Sequence, residues 1–451
     1  MPIVASEKQS SFSASPHQHL TLLDSTSIIV GIIIGSSIYC STPLIAGQVP
    51  NVGWLVGVWV IGAVFTLIGA LCYAELATAY PKEGGDYVFL TEAFGRKIGF
   101  IFAWAQFWIV RPGSVGTLAF VFADYANQLC PLNASYRPLL IYAVGSVLVL
   151  SGINLLGVRA GKWTQNLLTA VKFVGLLAIV AVGMSCGAAP AMAAVEPPAA
   201  TPLNLGFAMI FVFFAYSGWN EIAYVSAEVR DPQKNILRAL MLGTLAVSAI
   251  YIAVNLAFVH ALGLAGLQQS KAVAADVLTL GIGLRAGQCI SLLICITALG
   301  GINGMIFTGA RILYAMGTEH RLYSWLGQWS SKTDAPARPL IIQAAVTVAL
   351  TVGFGWDKDS QGFADSIAFT SPSFWFFLCL VGCSLFKLRA RPFASAPTYR
   401  VPLYPLVPLL FCLSNAYMFY KSLDYAVGQA PGGLVASTLV LGIGALLSFV
   451  G

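Results

Sequence analysis

Two long apolar runs in this chain are each interrupted at the centre by small and hydroxylated residues. Residues 28–34 (IIVGIII) give way to Gly35-Ser36-Ser37 before Ile38-Tyr39, and residues 209–215 (MIFVFFA) give way to Tyr216-Ser217-Gly218 before Trp219. Glycine and serine at such places let an apolar helix unwind, which frees main-chain N–H and C=O groups that hydrocarbon cannot satisfy. Such breaks persist in a bilayer only where protein or a watery cavity covers them. At the break, the downstream half begins with unpaired N–H groups and a positive dipole end, while the upstream half ends in free carbonyls. A docking point for an anion and one for a cation then lie side by side, the pair of charges that a zwitterionic amino acid carries. The carboxylate is assigned to the N–H groups and hydroxyls of Ser36 and Ser37, beside Gly35. The ammonium is assigned to the carbonyls of Ile33, Phe214 and Ser217. Phe214, Tyr216 and Trp219, with residues of the third, eighth and tenth helices, are expected to wall the side-chain pocket.

The elements that must hold these groups follow from composition. The chain is 58% hydrophobic and 9% charged, with mean hydropathy +0.80; soluble domains carry about 25% charged residues. A spanning helix needs about 20 apolar residues, and twelve such stretches are expected, near 22–44, 53–79, 98–128, 138–156, 164–184, 205–227, 236–260, 286–316, 338–354, 366–388, 403–422 and 432–450. Five spans separate one break from the other, so the sixth enters from the side opposite the first. Paired breaks in two halves of opposite topology are the signature of an inverted repeat with a binding site near the midplane. The expected fold is therefore an all-α membrane protein with a 5+5 inverted repeat, helices 1 and 6 broken, and two peripheral helices. Its divisions are a disordered cytoplasmic tail (1–20), a first unit (21–185), an outer loop (186–204), a second unit (205–390) and the last two helices (391–451). No cleavable signal peptide is evident in the polar first twenty residues.

Lysine and arginine favour cytoplasmic loops. With the N-terminus inside, seventeen of the 24 fall in inner segments and five in outer ones; both termini are expected in the cytoplasm of a plasma or inner membrane. Arg111 and Lys172 fall inside the bilayer. Lys172 lies about ten residues beyond Lys162, roughly 15 Å deep, where a lysine is costly unless paired or wet. Its ammonium is expected to bond the carbonyls where the first helix unwinds, the alternative being a side chain that snorkels to the inner interface. Glu221 follows Ser217 by one turn and faces the same side. It either titrates with transport, attracts a cationic substrate, or sits in a wet vestibule paired with a loop cation. Glu75, Asp86 and Glu228 lie among Arg96, Lys97, Arg230 and Lys234 and are expected to form ion-pair gates, with Asn220 beside them. Arg111 next to the kinking Pro112 is expected to be structural; Asn303 is expected to line the site and Phe374 with Trp375 to close it.

The stretch Gly31 to Ile38 resembles the signature of the amino acid–polyamine–organocation transporters, and more narrowly the L-type amino acid transporters. The resemblance continues through Gly69 to Leu76, Gly84-Gly85-Asp86-Tyr87, Arg111-Pro112, Phe214 to Asn220, Glu228 to Asn235 and Gly301 to Gly304. It implies the broken-helix inverted-repeat fold, amino acid transport by alternating access, substrate contacts at the two breaks and a lysine at the position of Lys172, whose ammonium takes the place of the coupling cation of sodium-coupled relatives of the fold. The family usually has glycine where this chain has Ser37, which implies altered carboxylate geometry or substrate size. Mammalian members pair with a glycoprotein through a cysteine between helices 3 and 4; Cys130 lies near that point, and Asn133-Ala134-Ser135 is a glycosylation sequon beside it.

Neutral amino acids are the expected substrates, moved by exchange or with protons; cationic amino acids or polyamines are the alternative. A multipass enzyme or a substrate-binding sensor is a remote one, since the four histidines are scattered and no signalling domain is appended. No metal spacing is present among the nine cysteines, no cofactor is implied, and no nucleotide-binding loop serves ATP-driven transport. The membrane and an amino acid are the expected partners, and nothing points to nucleic acid.

Overall fold

The computed structural model describes residues 17–133, 137–185, 203–270, 272–355, 362–390, 398–429 and 431–449. Most of the 1–20 tail and of the 186–204 loop lies outside them, as do residues 134 and 135 of the sequon.

Apart from turns, loops and two isolated bridges, the described residues are helical. In order they are α1 (Leu22–Ile33), α2 (Ser37–Ala46), α3 (Val52–Ala79), α4 (Asp86–Phe94), α5 (Arg96–Ala105), a π turn (Gln106–Val110) and α6 (Arg111–Leu129). Next come α7 (Pro138–Leu155), α8 (Val158–Ser185), α9 (Leu205–Tyr216), a 3-10 segment (Trp219–Glu228), α10 (Pro232–Gln269), α11 (Val273–Ile282) and α12 (Ala286–Glu319). The last are α13 (Ala337–Gly355), α14 (Gly362–Arg389), α15 (Leu406–Gln429) and α16 (Pro431–Leu447).

Nine helices among the described residues are long and apolar enough to cross a membrane, and α1 with α2, bent by 49°, makes a tenth. The expected twelve differ from these at two places, each for a physical reason. The third span is divided by the π turn that precedes Arg111, and α16 has 17 residues, short of a full span. Two elements lay outside the expected list. The short, mostly buried α4 follows the Gly84-Gly85 turn, and α11 packs against α8, α10 and α12.

Helix α1 forms the centre, in contact with α8, α10, α12 and the 3-10 segment; α9 packs on α2 and α3. Thr21 and Asp24 cap α1 reciprocally, satisfying N–H groups that a helix start leaves open. Helices α15 and α16 pack against α14, with α15 also on α3 and α16 on α5, so they flank the bundle, and α15 reaches the second break through Phe411 against Trp219.

At one end of the bundle the loops and basic side chains gather. Leu20 pairs with Val229 as a short parallel bridge, the Gly84 N–H donates to the Tyr224 carbonyl at 3.1 Å, and Lys162 bonds the His19 carbonyl and Asp24 at 3.0 and 2.9 Å. We call this the basic end.

Candidate substrate site at two facing helix breaks

The first break opens where Ile34, extended at φ −67° and ψ 92°, leaves α1, and α2 restarts at Ser37. No side chain caps the start of α2, so its first N–H groups face the gap, and Gly35, Ser36 and Ser37 are each partly exposed. The second break opens at Ser217 (φ −65°, ψ 154°) and turns at Gly218, whose φ of +106° is left-handed, a conformation that favours glycine. Glycine is needed there for space too: a Cβ would come within 2.7 Å of Ile32 Cγ2. The two breaks thus touch.

Tyr251 of α10 ties them together. Its buried hydroxyl lies 3.0 Å from the Ile33 carbonyl and 3.3 Å from that of Ala215, one carbonyl from each broken end. Nothing in the sequence around Tyr251 marked it, because it lies inside an unbroken apolar helix. Two of the three carbonyls expected to hold the ammonium already accept hydrogen bonds within the protein. Ile33 O is engaged by Tyr251, and Phe214 O accepts both the hydroxyl (2.7 Å) and the N–H (3.3 Å) of Ser217.

Lys172 is fully buried on α8, and its ammonium donates to the carbonyls of Gly31 (2.5 Å) and Ile34 (3.1 Å). Its stem passes over Gly300 of α12, where a Cβ would stand 2.5 Å from Cε and 2.6 Å from Nζ. Gly300 is therefore part of the lysine's site, a role its sequence neighbourhood did not reveal.

Several side chains occupy places other than those expected. Phe214 is 42% exposed and does not line the crevice that holds Trp219. Tyr216 instead packs on Trp59 and Tyr251 and donates to the Trp59 carbonyl at 3.3 Å. Trp219 lies edge-on to Tyr73, ring centres 4.9 Å apart, and against Phe411 of α15. Asn303 is fully buried and its amide is taken up by other side chains and main chain: it donates to Gln165 (2.9 Å) and the Gly161 carbonyl (3.2 Å) and accepts from Asn154 (2.8 Å). Its amide thus joins α7, α8 and α12. Phe374 and Trp375 do approach Ser217, Trp219 and Asn220, but across a crevice closed by Thr66 and Asn415 of α3 and α15. The helix-1 break does not line that crevice.

The acidic residues have partners far along the chain. Glu221 is buried and accepts from the Arg111 guanidinium (2.7 Å) and the Thr308 hydroxyl (2.5 Å). The expected wet vestibule and loop cation are replaced by an internal ion pair, since the π turn brings Arg111 of α6 inward, where Gln106 also accepts from its Nε at 3.1 Å. The guanidinium lies over the Tyr224 ring, 4.7 Å from its centre. Asp86 accepts from the Tyr224 hydroxyl at 2.6 Å; among the described residues no basic side chain bonds it. Glu228 pairs with Arg311 of α12 (2.7 Å), and Glu75 with Arg389 of α14 and the Val401 N–H (2.6 Å). These partners replace Arg96, Lys97, Arg230 and Lys234, all of which are exposed.

His17 and His19 meet at Asp334, with donor atoms of all three within 4.8 Å of one another. They are the described residues that could hold a metal ion, and they lie at the basic end. As they stand, the imidazoles bond the carboxylate at 3.2 and 2.7 Å. Partial burial raises the Asp334 pKa, but hydrogen bonds from Trp329 and His17 outweigh it, and the pKa falls below the usual value. Cys130 caps α6 and is exposed.

A bundle of apolar helices whose central spans are unwound at facing points, with charges paired internally around them, defines a membrane transporter. The amino acid permease profile matches residues 20–445, and the chain belongs to that family. It is 28% identical to the human b(0,+)-type amino acid transporter 1 over 424 residues, 91% of this chain and 84% of that protein. It is 30% identical to the rat large neutral amino acids transporter small subunit 2 over 405 residues (87% and 74%), and 27% identical to the Bacillus subtilis serine/threonine exchanger SteT over 440 residues (96% and 95%). The L-type resemblance of the sequence is in keeping with these relatives, and the chain is an integral membrane transporter of amino acids.

Proposed function

We propose that this chain exchanges neutral L-amino acids across the membrane by alternating access between two inverted units, residues 21–185 and 205–390, without covalent chemistry. The observation that carries the reading is the pair of touching breaks, with the uncapped start of α2 on one side and Tyr251 bridging the broken ends. In this reading the α2 N–H groups and the hydroxyls of Ser36 and Ser37 receive the carboxylate. The ammonium shares or displaces the Tyr251 hydroxyl at the Ile33 carbonyl and reaches the Ser217 carbonyl. Two charges nearby bear on the substrate: Lys172 stands where a coupling cation would sit, and Glu221 is neutralised by Arg111. The Glu221 carboxylate is therefore committed and does not draw a cationic side chain, which favours neutral substrates over the cationic alternative. The names of the relatives, a large neutral amino acid transporter and a serine/threonine exchanger among them, support the same class. The basic end is taken as cytoplasmic, from the seventeen-to-five distribution of lysine and arginine.

The test is uptake of labelled serine, leucine and arginine into liposomes holding the purified protein, with and without internal amino acid. Serine or leucine uptake is expected to rise several-fold with internal neutral amino acid; arginine uptake exceeding both would reject the neutral reading. The carboxylate assignment has its own outcome. Amino acids should bind and their decarboxylated amines should not, and Ser36→Val should abolish binding while leaving the protein folded. Tight binding of the amines by the wild type would move the substrate class to polyamines.

A further inference from the structure

Glu83 lies in the turn Pro81–Gly85 between α3 and α4, outside the spans, at the basic end. It is only 7% exposed, and neither carboxyl oxygen has a hydrogen-bond partner. The turn is clamped to the 3-10 segment, with Gly84 N–H donating to the Tyr224 carbonyl and the Ser226 hydroxyl donating to the Lys82 carbonyl at 2.8 Å. The charged and titratable groups facing Glu83 are Glu228 from the 3-10 segment and Arg311 and Tyr314 from α12. Lys82, next to it in the chain, turns outward to Glu92 at 3.4 Å, its side chain 61% exposed. Arg311 is already committed: Nε and Nη2 hold the two oxygens of Glu228 at 2.7 and 3.2 Å, and Nη1 holds the Phe307 carbonyl at 2.6 Å. Two buried carboxyls therefore share one guanidinium, and the one without hydrogen bonds is Glu83.

An ionised carboxylate buried without partners is costly, and such a group neutralises instead. Burial first and the Glu228 charge second raise the Glu83 pKa well above the carboxylate range; Arg311 and the nearby Glu228 N–H oppose them without prevailing. We propose that Glu83 is a proton-binding site built into the gate at the basic end. It holds a proton while the turn, the 3-10 segment and α12 are packed together, and it releases the proton to that side when they part. The proposal rests on the alternating-access reading, in which these three elements separate as the basic end opens.

The sign follows from linkage. The packed form binds one proton more than the open form, so acid on that side holds the gate shut and alkali opens it. The ratio of open to closed should change about tenfold per pH unit, from about 4.3, the value of a solvated glutamate, up to the pKa of the packed form. Because the proton enters and leaves on one side, it tunes the gate without being carried across.

Spin labels at Arg96→Cys and Leu322→Cys, in protein otherwise free of cysteine, report the width of this end in liposomes between pH 5 and 8. The expected result is a wide population that grows with pH in the otherwise native protein. Glu83→Gln, which mimics the protonated group, should give a narrow, pH-independent distribution. The same pH dependence in Glu83→Gln would place the proton elsewhere and overturn the proposal. A width that changes with substrate but not with pH would overturn it while leaving alternating access intact. A width that never changes, with or without substrate at any pH, would overturn both.

Discussion

Glu221→Ala is expected to destabilise the protein by about 3–5 kcal/mol, the usual cost of stripping one partner from a buried ion pair. The guanidinium of Arg111 would be left in the bundle with no carboxylate bonded to it, held by Gln106, by the Thr308 hydroxyl 3.2 Å from its Nη1 and by the Tyr224 ring. Replacing both charges by apolar residues of similar volume, Arg111→Met with Glu221→Leu, should recover most of the loss, because no lone charge then remains. Thermal unfolding in detergent measures all three proteins. Equal stability of Glu221→Ala and the wild type would show that water or another group takes over the charge. A double variant as unstable as the single one would show that packing, and not charge, is what the pair supplies.

Lys172→Ala is expected to lower exchange at least tenfold while the protein still folds. The ammonium holds the Gly31 and Ile34 carbonyls at the point where α1 ends, and a buried acceptor left without its donor costs about 1–3 kcal/mol. That energy is lost where the substrate carboxylate would dock, so the defect should fall on turnover more than on folding. Gly300→Ala provides a second route to the same outcome, since its new methyl group would occupy the space of the lysine's Cε and Nζ. A sodium gradient should drive no accumulation in the wild type. Strict dependence of uptake on sodium, or wild-type exchange by Lys172→Ala, would remove the lysine from the coupling role. Exchange rates in liposomes, with circular dichroism as the check on folding, decide the matter.

The helices and both breaks were legible because they are written locally. Gly35-Ser36-Ser37 and Ser217-Gly218 interrupt runs of isoleucine and phenylalanine, and hydropathy needs no knowledge of distant residues. Helix α4 was not legible in that way: nine residues of mixed polarity beside two glycines carry neither a long apolar run nor a strong period. The charged partners were hidden for a different reason. Arg111 and Glu221 stand 110 positions apart, and Glu75 and Arg389 stand 314 apart, so only the packing of α6, α12 and α14 determines who meets whom. Loop proximity in sequence suggested Arg96 and Lys97, and proximity in sequence was the wrong measure. Tyr251 and Asn303 illustrate the same limit from the other side. Each is a polar residue on an apolar helix, and which helix it faces depends on rotation that the residues around it do not specify.

Rotation is also what the π turn at Gln106–Val110 controls. A π turn accommodates one residue more than the α-helical turn it replaces, and one residue corresponds to about 100° about the helix axis. Every side chain from Arg111 to Leu129 is therefore out of phase with α5 by that angle. Shortening this turn by a single residue would restore a continuous helix and carry Arg111 off Glu221 toward the flank of α6, without altering any residue that touches the pair. The third span thus behaves like a vernier, in which the count of residues over one turn decides which stripe of a nineteen-residue helix faces the centre. Single-residue insertions and deletions, ordinarily tolerated best in loops, should here be as severe as loss of the charge itself.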